Sequence, residues 1–334
     1  MISPRFYAAQ LRQELILRNR AYARGRAHVE SYGSAPVIVY EPENGCHGNF
    51  FDPAYEAIAT NPDWMRRFDK VHAQAARSLP LPQLDPTRRW RELDSSMSSD
   101  ALLMNIFCTP GVADSGAVRS ALGVADPAKP IFGWKARVPL TNGRFDRTEV
   151  DMRFSSLLVE AKLTEVGFQT RAATIVEAYR DFDTVFDRDL LPRAEIATLR
   201  WMRASEFPEN SSQEFESIVA DPALVSAVDT VFRPPGKPGY AAYQLIRSVL
   251  AAYATGCSFC VIHDERRPDL REEWFAVMAA VKSADLRVRL KVLTWQELAE
   301  LLPSTLQEFL DVKYGIVAPG KAPSPIADAA ELAD

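Results

Sequence analysis

The sequence predicts a mixed α/β (α+β) fold with a small sheet at its centre and helices around it. Two stretches carry this expectation. Residues 131–163 read as three consecutive strands joined by short turns, and residues 240–314 alternate between helix and strand. With 334 residues, 47% of them hydrophobic, the chain can bury a core for one elaborated domain or two packed ones.

Residues 4–26 form the first helical pattern, with Arg5, Arg12, Arg18, Arg20 and Arg24 among apolar residues. Such a face either is solvated or lies along a phosphate backbone. Helical patterns follow at 53–60 and 62–77, and the three prolines of 80–86 mark a linker or loop. Residues 1–95 thus read as a helical N-terminal extension to a core at 96–316. Ser98-Ser99-Asp100 has the form of a helix start before the apolar run 101–107, and 109–129 is rich in turn residues.

The first strand is expected at 131–140, followed by the hairpin signal Asn142-Gly143 and a second strand at 147–154. Ser155-Ser156 then makes a two-residue turn into a third strand at 157–163. Residues 169–233 look mostly helical, an insertion of the core spanning about 169–235, and the glycines of 236–239 end it. A helix at 240–253, a buried strand at 259–263, a helix at 270–283 and a strand at 288–293 follow. Helices at 295–302 and 304–314 close the core. Residues 317–334, rich in Ala, Pro and Asp without periodicity, are expected to be a disordered tail.

Several function classes are disfavoured. No apolar run approaches the roughly 18 residues of a membrane span, and residues 1–10 lack a secretory signal, so a cytoplasmic protein is expected. A net charge of −5 argues against a protein that coats nucleic acid, but leaves room for a local basic cleft. The 30 arginines outnumber 9 lysines. Arginine is the better bidentate partner for phosphate and guanine, although a GC-rich genome produces the same skew. No phosphate-binding loop or methyltransferase motif is present, so neither ATP nor S-adenosylmethionine is implied.

Cys46, Cys108, Cys257 and Cys260 are too few for a disulfide framework. Cys257 and Cys260, with His263 close behind, resemble half of a zinc site. Their segment reads as a buried strand, in which positions three apart point to opposite sides, so core cysteines without zinc are expected.

The candidate chemistry lies in Asp151 and in Glu160-Ala161-Lys162. An acid two residues before a lysine is common by chance, and Asp311-Val312-Lys313 is a second case. Asp311 sits in a helical pattern, where residues two apart diverge. Glu160 and Lys162 sit in a strand, where they share a face. A turn at Ser155-Ser156 pairs Phe154 with Leu157, which sets Asp151 opposite Glu160 and Glu149 opposite Lys162. Carboxylates crowded on a half-buried sheet repel one another. A divalent cation held by oxygen ligands, such as Mg²⁺, resolves the conflict. A salt-bridged hairpin with Glu149–Lys162 as an ordinary pair is the other reading, and the pattern by itself leaves both open.

A wider resemblance bears on the choice. Helix, three-strand meander, helix and strand, with an acid on the second strand and ExK on the third, resembles the PD-(D/E)XK nuclease core. More specifically, the chain resembles a family of restriction endonucleases of that superfamily, over roughly 48–316. The matching strings are Glu92-Leu-Asp-Ser-Ser-Met-Ser-Ser-Asp-Ala-Leu-Leu-Met-Asn-Ile-Phe107, Arg147-Thr-Glu-Val-Asp-Met152 and Leu158-Val-Glu-Ala-Lys-Leu-Thr-Glu165. Tyr243-Gln-Leu-Ile-Arg247, Asp264-Glu-Arg-Arg-Pro-Asp-Leu270 and Thr294-Trp-Gln-Glu-Leu298 continue them. One departure is Val150 in place of a proline before Asp151.

The resemblance implies a restriction-endonuclease-like core that cleaves DNA with Mg²⁺, for which Mn²⁺ can substitute, in restriction or another anti-phage defence. It implies Asp151, Glu160, Lys162 and Gln244 as catalytic residues. Asp151 and Glu160 would ligate the metal, completed by Asp100 or Glu92 from the first core helix, although Asp100 is equally a capping residue. Arg247, Gln169 and Glu149, with Glu165, are expected near substrate. Arg266 and Arg267 read as a solvated loop or as contacts to the DNA backbone. A homodimer would suit cutting of both strands. A catalytically silent nucleic-acid-binding protein on the same fold, or a repair or RNA-processing nuclease, are the competing readings.

Overall fold

The structure is a computed structural model that describes residues 4–31, 37–70, 91–147, 149–196 and 236–326. At its centre lies a mixed sheet of β1 (Ile131–Lys135), β2 (Glu149–Phe154), β3 (Leu157–Ala161), β4 (Ser258–His263) and β5 (Leu290–Thr294). Their spatial order is β5-β4-β3-β2-β1. β1 and β3 flank β2 antiparallel, whereas β3–β4 and β4–β5 run parallel. The middle strand β3 is buried at every position, as a strand covered on both faces must be, and its Leu-Leu-Val run reflects that.

Among the helices on this sheet are α1 (Pro4–Ala23), α2 (Ser99–Phe107), α3 (Tyr243–Thr255), α4 (Pro268–Ala279) and α5 (Ser304–Tyr314). Leu158, Phe259 and Val261 face α3 and α4, packing with Ile246, Val249 and Trp274. Met152, Val159 and Ile262 face the other way, packing with Leu102, Ile106 and Leu310 of α2 and α5. Among the described residues no helix is long and apolar enough to cross a membrane.

The Ser155-Ser156 turn forms as the strand pattern predicts, with Phe154 opposite Leu157, Arg153 opposite Leu158 and Met152 opposite Val159. Ser155 takes the left-handed φ of +54° that such a turn needs. The Asn142-Gly143 signal is also a hairpin, but of a separate ribbon. Val138–Pro139 pairs with Phe145–Asp146, with Gly143 at φ +77°, while β1 ends at Lys135 rather than at 140. Pro139 has no N–H to extend a ladder in the main sheet.

The segment expected to be helical over 169–233 is mixed where it is described. Short helices at Ala173–Val176 and Phe182–Val185 are joined by a three-stranded sheet of Arg171–Ala172, Lys237–Tyr240 and Arg193–Ile196. Residues 197–235 of the expected insertion lie outside the described residues, as do 71–90 and 327–334. The helix expected from 240 begins at Tyr243, because Lys237–Tyr240 is spent on the small sheet. Ala242 turns the chain at φ +53°. Residues 317–326 contain no helix or strand, yet they are not a free tail. Ala318 is buried, and Ser324 N and Oγ donate to the Asp311 carboxylate of α5 at 2.8 and 2.6 Å.

Candidate active site

The β2–β3 ladder ends at Met152 opposite Val159, and beyond it a side chain continues the connection. Ala161 N donates to Asp151 Oδ2 at 2.7 Å. Glu160 and Lys162, alternate residues of one strand edge, share the α3 face, and Lys162 Nζ donates to Glu160 Oε1 at 2.7 Å. Both are deeply buried, at 1% and 4% exposure. The main chain of Lys162 is pinned twice: its N–H donates to Ile262 O and its carbonyl accepts from Trp295 Nε1, each at 2.9 Å. Asp151, Glu160 and Lys162 line one cleft of about 780 Å³, whose walls include Asp100, Glu165, Gln169, Gln244 and Glu273.

Charge is concentrated here. Burial pushes the Asp151 carboxyl well above its ordinary pKa, and the neighbouring charges of Glu160 and Asp100 add to the rise. Burial likewise lifts Asp100, to about 6, against the pull of Arg67. Burial opposes the charge on Lys162, but Glu160, Glu165 and Asp151 outweigh it and hold the lysine above its usual value. Lys162 is therefore held as an ammonium donor.

Gln244 stands in the first turn of α3 and lines the cleft, its main-chain N–H donating to Phe168 O at 2.9 Å. Gln169 is exposed at the cleft edge, at φ +62°, and its carbonyl accepts from Tyr243 N. Glu165 lines the cleft too, bound by Ser99 Oγ at 2.6 Å and Leu163 N at 2.7 Å. Asp100 reaches the cleft wall, yet its carboxylate is engaged by Arg67 Nη2. Glu92 shares the wall, with Lys70 Nζ at 3.3 Å.

Arg247 and Glu149 are not among the cleft-lining residues. Arg247 is buried and donates to Glu149 O at 3.2 Å. Glu149 does not pair with Lys162, because the strands part before that register. Arg67 at 3.1 Å, Lys70 at 2.9 Å and Lys135 at 3.9 Å surround its carboxylate instead. Sequence reasoning missed Arg67, Ser99 and Glu273, all brought in from distant segments. Gly133, a glycine inside a strand, was a legible sign of the close approach that Arg67 makes.

Arg266 is half-buried and Arg267 buried, and neither lines the cleft. Arg266 bonds Asp264, Glu14 at 2.8 Å and Tyr314 O. Arg267 is fully buried, bidentate on Asp269, and donates to Leu163 O and Glu165 O at 3.2 and 2.7 Å. Of the α1 arginines, Arg12 reaches Thr164 O at 3.4 Å, Arg18 pairs with Glu14 and Arg20 with Glu30. Cys257 and Cys260 are free thiols buried on opposite faces of the sheet, one in each core.

Among the described residues no group of three or more His, Cys, Asp or Glu side chains is placed to hold a metal ion. Mg²⁺ does not require one, since it commonly takes one or two carboxylates and fills its octahedron with water and phosphate oxygens. Asp151 and Glu160 fit that pattern. Among the described residues Glu160 Oε2 is buried without a hydrogen-bond partner, beside a carboxyl raised by burial and by its neighbours, an arrangement that a cation would relieve.

A family described as Restriction Endonuclease associating with ARP matches residues 17–315. No curated protein and no solved structure matches the chain.

Proposed function

The chain belongs to the family of restriction endonucleases associating with ARP, and on that premise we propose that it is a divalent-metal-dependent endonuclease of the PD-(D/E)XK type. In this reading it hydrolyses phosphodiester bonds of DNA in restriction or another defence against foreign DNA. The observation that carries the reading is the meeting of Asp151, Glu160 and Lys162 in the lining of one cleft, with Glu160 Oε2 buried and unpartnered among the described residues. The order α2, β1-β2-β3, α3, β4 is the order that this nuclease type implies.

Asp151 and Glu160 would hold Mg²⁺, or Mn²⁺ in its place. When bound, such a cation acidifies a water and stabilises charge on the scissile phosphate. The Ala161 N–H fixes one oxygen of Asp151, so the carboxylate is oriented before anything binds. Lys162 supplies a positive donor for charge developing on a phosphate oxygen. Gln244 and Gln169, which both line the cleft, would touch the substrate backbone in this reading.

Incubation with supercoiled plasmid, single-stranded DNA and RNA in Mg²⁺, Mn²⁺ or EDTA tests the proposal. Metal-dependent nicking or linearisation of plasmid is expected. Equal activity in EDTA removes the metal, and cleavage of RNA alone removes the DNA substrate.

A further inference from the structure

Arg67 stands in the last turn of the helix Pro62–Phe68 and is buried at 9% exposure. One of its nitrogens pairs with Asp100 Oδ2 of α2 and another lies 3.1 Å from Glu149 Oε1 of β2. Lys70 Nζ adds a second cation, 2.9 Å from Glu149 and 3.3 Å from Glu92. Burial opposes the charge on Arg67, yet Asp100, Glu92, Asp151 and Glu149 together hold its pKa above the arginine value.

Space for the guanidinium comes from Gly133. It lies between the Phe132–Met152 and Trp134–Val150 pairs of the β1–β2 ladder, opposite Asp151, at φ +63°. A Cβ there would stand 3.3 Å from Arg67 Nη1 and 3.5 Å from Glu149 Oε1. A strand glycine thus admits a fixed positive charge beside the carboxylates. The carboxylates differ accordingly. Asp100 on the cleft wall and Glu149 outside the cleft lining share a fixed guanidinium, whereas among the described residues Glu160 Oε2 has no partner.

We propose that the Arg67 guanidinium takes the place of a second divalent cation, so that the cleft binds a single ion on Asp151 and Glu160. Asp100 is then the partner of Arg67 and not a ligand. This deepens, and rests on, the metal-centred reading given above. A second dication would have to displace Arg67 or sit against its buried charge, and both are costly.

Titration of Mn²⁺ into the full-length protein, followed by calorimetry and by electron paramagnetic resonance of free Mn²⁺, counts ions without recourse to activity. Wild type should bind one ion per chain. Asp100→Asn should also bind one, with a dissociation constant within about twofold of wild type, because Asp100 makes no contact with it. Arg67→Gln, which frees Asp100 and leaves Glu149 to Lys70, should bind two. Two ions on wild type, or weakening by about tenfold or more in Asp100→Asn, as loss of a ligand or its support produces, would overturn the proposal. A folded Arg67→Gln that still binds one ion would overturn it as well. If Arg67→Gln does not fold, the wild-type count and Asp100→Asn decide the matter. Wild type binding no ion would bring down the metal-centred reading itself, which a count of two would leave standing.

Discussion

The N–H of Ala161 donates to the side chain of Asp151 at 2.7 Å, at the point where the β2–β3 backbone ladder has stopped. The carboxylate of one strand thereby stands in for a carbonyl in pairing with the other. Asp151 is fixed by the same strand that carries Glu160 and Lys162, so the three side chains share one rigid frame.

Asp151→Asn, Glu160→Gln and Lys162→Met should each reduce plasmid cleavage by at least about 100-fold, a usual cost of removing one group that stabilises transition-state charge. The asparagine retains an oxygen for the Ala161 N–H, and circular dichroism should show each variant folded. Cleavage at the wild-type rate in any one of them removes that residue from the reaction.

Burial, Glu160 and Asp100 all disfavour the ionised Asp151. Without added metal, Asp151→Asn should therefore be at least as stable as wild type. Mg²⁺ or Mn²⁺ at a hundred times its dissociation constant should stabilise wild type by about 2.7 kcal/mol. The melting temperature of Asp151→Asn should not move. Equal shifts in the two proteins would place the ion elsewhere.

His47 is buried, with Nε2 at 3.1 Å from Asp94 Oδ1. Burial holds its pKa below the ordinary value, against the pull of Asp94 in the other direction. The folded state then binds the proton more weakly than the unfolded chain. This contribution is fully present above pH of about 6.5 and is lost as pH falls toward the folded pKa, by at most about 1.4 kcal/mol per pH unit. Urea midpoints between pH 7.5 and 5.5 should fall more steeply for wild type than for His47→Gln. Parallel slopes would show that His47 does not titrate in unfolding.

Arg267 satisfies Asp269 and the carbonyls of Leu163 and Glu165 from a fully buried position. Arg267→Met removes the charge and strands its partner, at a cost of about 3–5 kcal/mol. Chemical denaturation reads this directly. A loss below about 1 kcal/mol would mean that Asp269 finds another partner or protonates without penalty.

Local signals were the legible ones. The Ser155-Ser156 turn and its register follow from two short strands and the period of two between side chains. The same period sends Cys257 and Cys260 to opposite cores. Asp311 and Lys313 also behave as helical positions should, Lys313 buried while the intervening Val312 is half exposed. What escaped the sequence was set by distant partners. Glu149 looked like the counter-ion of Lys162 and is instead claimed by Arg67 and Lys70. Arg266 and Arg267 looked like loop charges because nothing local announces Glu14 or the carbonyls after β3. The Asn142-Gly143 turn was correctly read as a turn, but which strands it joins depends on where β1 stops.

The double pinning of Lys162 bears on the timing of assembly during synthesis. The hairpin of β2 and β3 is local and can close as soon as it is made. Its far edge has to wait, since Trp295 lies 133 positions beyond Lys162 and Arg267 lies 102 beyond Glu165. A nascent chain therefore displays Asp151, Glu160 and Lys162 long before the groups that hold them in register have left the ribosome. Competence arrives with the last third of the chain, and a truncated product ending before Trp295 should retain the acidic hairpin without a working cleft. Pulse-labelled amide exchange at Lys162 during refolding would time that late closure.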